Sequence, residues 1–308
     1  MFRRFRKIKP FFPFIFLLIL PASLEAAESG FQSVFSGQEI GVRATGMGCA
    51  FVAVADDGSA SYWNPAGLAF TKKRFVELAS SGIQATGFAR YGYILYSQPD
   101  TGRGAGAISW AYTNIDFDPG LWLESSLSYS CAFKRDANSA FGLTVKYMRV
   151  DSSLEIGSGE EARKVGAWGI GLDLGVLVRL GELSFGIMAR DIYSMLKWSG
   201  GSKERIPSSI SAGMAIIPIE GLLVSAQVDG NTAIGIGRAA AGIEIGFLPI
   251  PIRGGLYWRN GAINALGITG GSEVGFRRWG ARWRAQMGLD MNAALEEGAL
   301  KVSLGAEF

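Results

Sequence analysis

The residues that could do chemistry here are isolated charges set among apolar side chains. Arg282 and Arg284 flank Trp283, Lys301 lies between Leu300 and Val302, Glu244 lies between Ile243 and Ile245, and Arg190 follows Ala189. Charges two apart on one side of an extended segment can pair across strands or hold an acidic headgroup. For Arg282 and Arg284, pairing with lumen carboxylates such as Glu307 or Asp290 is the better reading. Catalysis is a poor one: the chain has no histidine, which excludes a Ser-His dyad or triad, and its Ser and Asp residues are spaced as strand and loop residues. No enzyme is expected. An unclustered pair of thiols, Cys49 and Cys131, does not suit zinc, so neither a metal nor a cofactor is expected. An oxidising compartment would permit a disulfide, yet Cys131 keeps the register of Leu127, Tyr129 and Phe133, the apolar face of a predicted strand.

A second group of residues shapes backbone. The string Gly41-Val42-Arg43-Ala44-Thr45-Gly46-Met47-Gly48-Cys49 runs on through small residues to Asn64-Pro65-Ala66-Gly67-Leu68. Gly46 and Gly48 allow close backbone approach, and Asn64 can cap a short helix starting at Pro65. The glycine spacing is not that of a phosphate loop, and no lysine is placed for phosphate.

The elements that must position these residues are strands. Hydrophobic residues make up 48% of the chain, charged residues 19%, there are 43 glycines, and mean hydropathy is +0.21. That composition is too apolar for an ordinary soluble domain, but beyond the N-terminus no apolar run reaches the length of a spanning helix. Instead, segments of about ten residues alternate with period two. Trp283, Ala285, Met287, Leu289 and Met291 share one face, opposite Arg282, Arg284, Gln286, Gly288 and Asp290. Such alternation places one face against lipid and the other against water. Fourteen segments are expected, near 75–83, 87–97, 104–114, 124–133, 140–151, 167–178, 183–192, 208–217, 222–229, 239–247, 252–260, 265–275, 281–291 and 299–308. Brief links fall at 180–182, 218–221 and 277–280, and long polar ones at 151–166 and 193–207, which puts both termini on the periplasmic side.

The N-terminus reads as an export signal. Arg3, Arg4, Arg6, Lys7 and Lys9 precede the apolar stretch Phe11 to Leu20 and a small-residue region ending near Ala26. Removing residues 1–26 takes away five basic side chains and Glu25, so the formal charge falls from +3 to −1. The basic balance therefore belongs to the signal, and no nucleic-acid partner is expected. The expected organisation is a signal peptide at 1–26, a hatch or plug segment at 27–74 and a transmembrane β-barrel at 75–308.

The string from Gly41 to Leu68, with Asn64-Pro65-Ala66-Gly67, resembles the N-terminal region of the FadL-like outer-membrane superfamily, especially its PorV/PorQ-type members. Ala241 to Ile245 followed by Ile252 to Tyr257 is similar to the late strands of the same proteins. The ending Leu304-Gly305-Ala306-Glu307-Phe308 looks like a barrel assembly signal with Phe308 as its terminal aromatic. The resemblance implies an all-β fold: a transmembrane antiparallel barrel of about 14 strands with the N-terminal hatch in its lumen. It also implies passive transport of small hydrophobic, fatty-acid-like molecules across the cell outer membrane. On that reading Gly46, Gly48, Asn64 and Pro65 belong to the hatch or ligand site, and Glu244, Arg282, Arg284 and Lys301 are lumen charges. The PorV-type resemblance implies an alternative, a surface scaffold or shuttle binding secreted protein clients through 151–166 and 193–207; the lumen charges also permit a plain water-filled porin. Outer-membrane lipids and the barrel assembly machinery are the other implied partners. Cys49 stands where the family commonly has glycine, and the chain is shorter than the family's fatty-acid transporters.

Overall fold

The computed structural model describes residues 35, 40–83, 89–117, 120–156, 163–231, 235–260, 264–292 and 297–308. The expected signal peptide lies outside the described residues, as does most of 27–39.

The wall consists of β1 (Phe75–Ile83), β2 (Ala89–Gln98), β3 (Ala105–Phe117), β4 (Gly120–Lys134), β5 (Ser139–Ile156), β6 (Arg163–Leu180), β7 (Leu183–Trp198), β9 (Ser209–Ile219), β10 (Leu222–Asn231), β11 (Gly235–Ile245), β12 (Ile252–Arg259), β13 (Ala265–Arg278), β14 (Ala281–Asn292) and β15 (Glu297–Glu307), with a two-residue β8 (Lys203–Glu204) beside β7. Each strand pairs antiparallel with its neighbour, β7 pairs with both β6 and β9, and β1 pairs with β15 from Phe75↔Glu307 to Ile83↔Ala299. The result is a closed barrel of fourteen strands, which leaves no sheet edge unpaired. Phe75 and Phe308 meet at one end, joined by reciprocal backbone hydrogen bonds of 3.1 Å between Arg74 and Phe308.

Alternation decides the faces as the sequence suggests. Leu78, Ile94, Leu127, Ile170, Ile268 and Leu289 point outward and are exposed, each on a different strand. Glu77, Leu95, Ser130, Asp173, Thr269 and Gln286 point inward and are buried. A chain that buries its polar face and exposes its apolar one is arranged for lipid. Cys131 keeps the outward register while Cys49 is buried inside, and no disulfide joins them.

Two expectations need correction. The links expected at 151–166 and 193–207 are mostly strand, because β5 continues to Ile156, β6 begins at Arg163 and β7 runs to Trp198. Backbone pairing needs no apolar side chain: Asp151 lies opposite Gly166, Glu155 opposite Lys164 and Leu196 opposite Glu204. The loss of apolar alternation there therefore did not end the strands. The short links at the other end match more closely, at 181–182, 220–221 and 279–280.

Candidate functional site

The segment from Ile40 to Phe70 folds into α1 (Val42–Gly46), α2 (Ala60–Trp63) and a 3-10 helix (Pro65–Phe70). These are too short to be stable alone, and contacts with the inner wall hold them. α1 packs on β12 to β15, and the 3-10 helix on β3 to β6. Asn64 caps that helix as its position implies: its Oδ1 accepts from Ala66 N at 3.2 Å, with Pro65 in the first turn. Its Nδ2 donates to Val52 O at 3.0 Å and to Val176 O of β6 at 2.9 Å, so one side chain ties the segment to itself and to the wall.

Inward glycines make room for this packing. A Cβ at Gly175 would stand 2.2 Å from Asn64 Oδ1, at Gly142 2.3 Å from Ala66 N, at Gly186 2.1 Å from Val52 O and at Gly255 2.1 Å from Gly48 N. The many Gly positions opposite the apolar face are thus seats for a second layer of backbone. Gly46 lies against Gly271 and Arg253, and Gly48 has φ +63°, a left-handed conformation that glycine adopts without strain. Cys49, next along, also has a positive φ of 58°, which accounts physically for a glycine preference at that position.

Side chains of the wall complete the hydrogen bonding. Thr269 Oγ1 accepts from Gly48 N at 2.8 Å and donates to Gly46 O at 3.2 Å. Gln227 Oε1 accepts from both Phe51 N and Val52 N, at 2.9 and 2.8 Å. Arg190 donates to Tyr62 O at 3.0 Å while its guanidinium lies 4.2 Å from the Tyr62 ring centroid. Lys301 donates to Thr45 Oγ1 at 3.0 Å.

The centre of the electrostatics is Arg43. Its Nε and Nη2 grip the Glu244 carboxylate at 2.7 and 2.8 Å, and its Nη1 pairs with Asp56 and Asp57 of the same segment. Glu244 also accepts from Arg253 Nε at 2.6 Å, and Arg253 pairs in turn with Glu273, which accepts from Gln286 at 3.1 Å. Buried charges persist only when paired and hydrogen-bonded, and this chain of pairs crosses β11, β12, β13 and β14. At the end where Phe75 and Phe308 meet, Asp56, Asp57, Lys73, Arg284 and Glu307 line a cavity of about 260 Å³.

The sequence-stated site residues therefore divide. Gly46, Gly48, Asn64 and Pro65 are all within the lumen segment, and Glu244, Lys301 and Arg284 are inward charges with partners, Arg284 on Glu307 at 2.6 Å. Arg282 keeps the inward register but stands exposed at the rim, and Phe308 is exposed at the closing seam. Gln227 and Thr269 went unrecognised, their only signal being inward parity on a strand, which many polar residues share; Arg253 stood inside the Ile252 to Tyr257 string without a role assigned to it. Arg43 stood inside the quoted motif, but nothing in its neighbours announced three carboxylate partners.

The sequence matches no family model, and no curated protein matches it. Its structure is similar to that of a Pseudomonas aeruginosa FadL homologue, with TM-score 0.62 and 13% identity over 87% of this chain and 97% of that one. It is also similar to the Pseudomonas putida toluene transporter TodX, at 0.65 and 12% over 88% and 98%, and to the CymD monoaromatic hydrocarbon channel, at 0.65 and 12% over 87% and 96%. The fold is FadL-like.

Proposed function

We propose that this chain is an outer-membrane barrel for passive transport of small hydrophobic molecules, with the lumen segment as its plug. The observation that carries the reading is an apolar inner lining around that segment. Met148, Leu196 and Ile206 form a buried cluster against which Phe35 packs, and Tyr93, Leu95 and Ala111 form another with Ile40 and Val42. A lumen built for water and ions has no use for such clusters; an apolar solute does. The fold of barrels named for toluene and monoaromatic hydrocarbons supports the same class, and a fatty-acid-like ligand remains the specific expectation. On this reading residues 1–26 are a cleaved signal, 27–74 form the plug, Gly46, Gly48, Asn64 and Pro65 seat it, and Phe308 presents the chain to the barrel assembly machinery.

The test is deletion of residues 31–68 followed by conductance in planar bilayers and native mass spectrometry of the mature protein. A plug predicts open ion conductance and loss of a retained apolar adduct. Unchanged conductance from an assembled barrel would sink the plug.

One observation favours the PorV-type alternative. β5 and β6 have 18 residues each against 8 in β12. At about 3.3 Å per residue they outreach an apolar band about 25 Å tall, even when tilted. Their tips would stand clear of the membrane as a surface for secreted clients. A discrete protein bound to the purified barrel, with no small adduct, would favour that reading.

A further inference from the structure

One apolar cluster of the lumen is completed by a short piece of chain rather than by the wall. Met148 of β5 and Leu196 of β7 both point inward and stand either side of Gly169 of β6. A Cβ at Gly169 would lie 2.7 Å from Leu196 Cδ2, so the glycine leaves a hollow between the two side chains. Ile206, 5% exposed, packs with them there. Its neighbours Lys203, Glu204, Arg205 and Pro207 are all exposed. A single buried side chain on an otherwise exposed strap is held by its seat, because nothing around it in sequence packs.

The strap's attachment to the wall is slight. Among the described residues β8 pairs with β7 only at Leu196↔Glu204 and Lys197↔Lys203, and the second pair sets like charges directly opposite each other, which disfavours it. β9 rejoins β7 at Arg190↔Ser209. Between these points Ile206 N donates to Ser194 Oγ at 3.0 Å, the same hydroxyl donates to Ile206 O at 3.0 Å, and Ser208 Oγ donates to Asp191 O at 2.7 Å. Two serine side chains thus stand in for a backbone ladder. Such neutral bonds are exchanged for water at little net cost.

Charge limits what else the seat can take. Lys146 Nζ holds Asp173 and Asp191 at 2.8 and 2.7 Å. Glu124 accepts from Trp122 Nε1 at 2.8 Å and from the backbone N of Phe35, which packs against the cluster, at 3.0 Å. Arg190, beside Asp191, is turned to Tyr62. Three carboxylates therefore stand around the seat with Lys146 as the cation among them, and an anionic group entering it would be repelled and left unpaired.

We propose that the Met148–Leu196 seat is a binding site for neutral apolar solutes, whose hydrocarbon displaces the Ile206 side chain and frees the 203–208 strap from β7. The inference rests on the transport reading and narrows it: a fatty-acid-like solute enters the seat only by its hydrocarbon end.

The experiment uses the full mature barrel in phosphatidylcholine nanodiscs, titrated with cyclohexane or with cyclohexanecarboxylate, whose charge lies too close to the ring to stay clear of the seat. Hydrogen exchange of the wild type, read on peptides covering 203–208, needs no substitution. Cyclohexane is expected to speed exchange there about tenfold and the carboxylate to leave it unchanged. The Ile206→Cys variant, treated with a water-soluble maleimide against wild type as background, is expected to label about tenfold faster with cyclohexane alone. A strap that does not respond to cyclohexane overturns the proposal. So does an equal response to both solutes, which would mean that the carboxylates do not select. Cyclohexane uptake by outer-membrane vesicles with and without the barrel is scored in parallel. A responsive strap without barrel-dependent uptake refutes the transport reading and leaves the seat standing, whereas barrel-dependent uptake with an unresponsive strap refutes the seat alone.

Discussion

The lumen segment is fixed to the wall differently at its two ends. Around α1, glycine seats at Gly255 and Gly271 are supplemented by Arg43, Glu244, Arg253 and Glu273. Around the 3-10 helix, shape is supplemented without any ion pair among the described residues: Gly142 and Gly175 admit backbone, Ala60, Ala66 and Ala69 pack against Ala105, Ala107, Ala132 and Ala140, Asn64 donates to Val176 O, and Arg179 lies over the Phe70 ring. Dispersion in such a seat is lost within an ångström, whereas ion pairs fall off slowly with distance and respond to salt. The second end is thus a fixed anchor. The first can be loosened without rebuilding the wall.

The substitution expected to break this contrast most strongly is Arg43→Ala, which leaves Asp56, Asp57 and Glu244 without their shared cation. Loss of about 3–5 kcal/mol is expected, measured by urea unfolding in lipid, with a rise in bilayer conductance. If a neutral pair, Arg43→Met with Glu244→Gln, is no less stable than wild type, the charges serve position rather than stability. Next, Leu289→Arg on the outer face should cost about 2–4 kcal/mol at mid-membrane with no change in conductance, separating wall from lumen segment. At the shape-fitted end, Gly175→Val forces a Cβ against Asn64 and should cost about 1–3 kcal/mol. Tolerance of it in a stability assay would mean that the 3-10 helix sits loosely. Asn64→Ala removes a cap and the Nδ2 ties to Val52 O and Val176 O, for about 1–2 kcal/mol. The smallest effect is that of salt: going from 0.1 to 1 M shortens the screening length from about 10 to about 3 Å. Only the Arg43 end, where Asp56 is partly exposed, should show more noise in single-channel records.

The sequence made the wall legible because period two is imposed on every residue of a strand that separates lipid from lumen. β1 falls at 75–83 as expected, and the faces of β14 are assigned correctly. It failed where that constraint lapses: above the apolar band β5, β6 and β7 continue on backbone pairing alone. In the lumen, Asn64 was legible because its cap is local, two residues from Ala66. Gln227 and Thr269 were not, since their partners lie 176 and 221 residues away. Glu244 was legible as an inward charge but not as the point where Arg43 and Arg253 meet.

The seam between β1 and β15 also fixes an order of events. The wall's first and last strands are partners over nine residues, so the cylinder cannot close until β15 has been delivered. That pairing is about as non-local as this chain allows, and contacts of that kind form late. The lumen segment is joined directly to β1, at one lip of the open seam. It therefore has the whole interval of assembly in which to settle onto β3 to β6 from the side, and never has to thread an already closed ring.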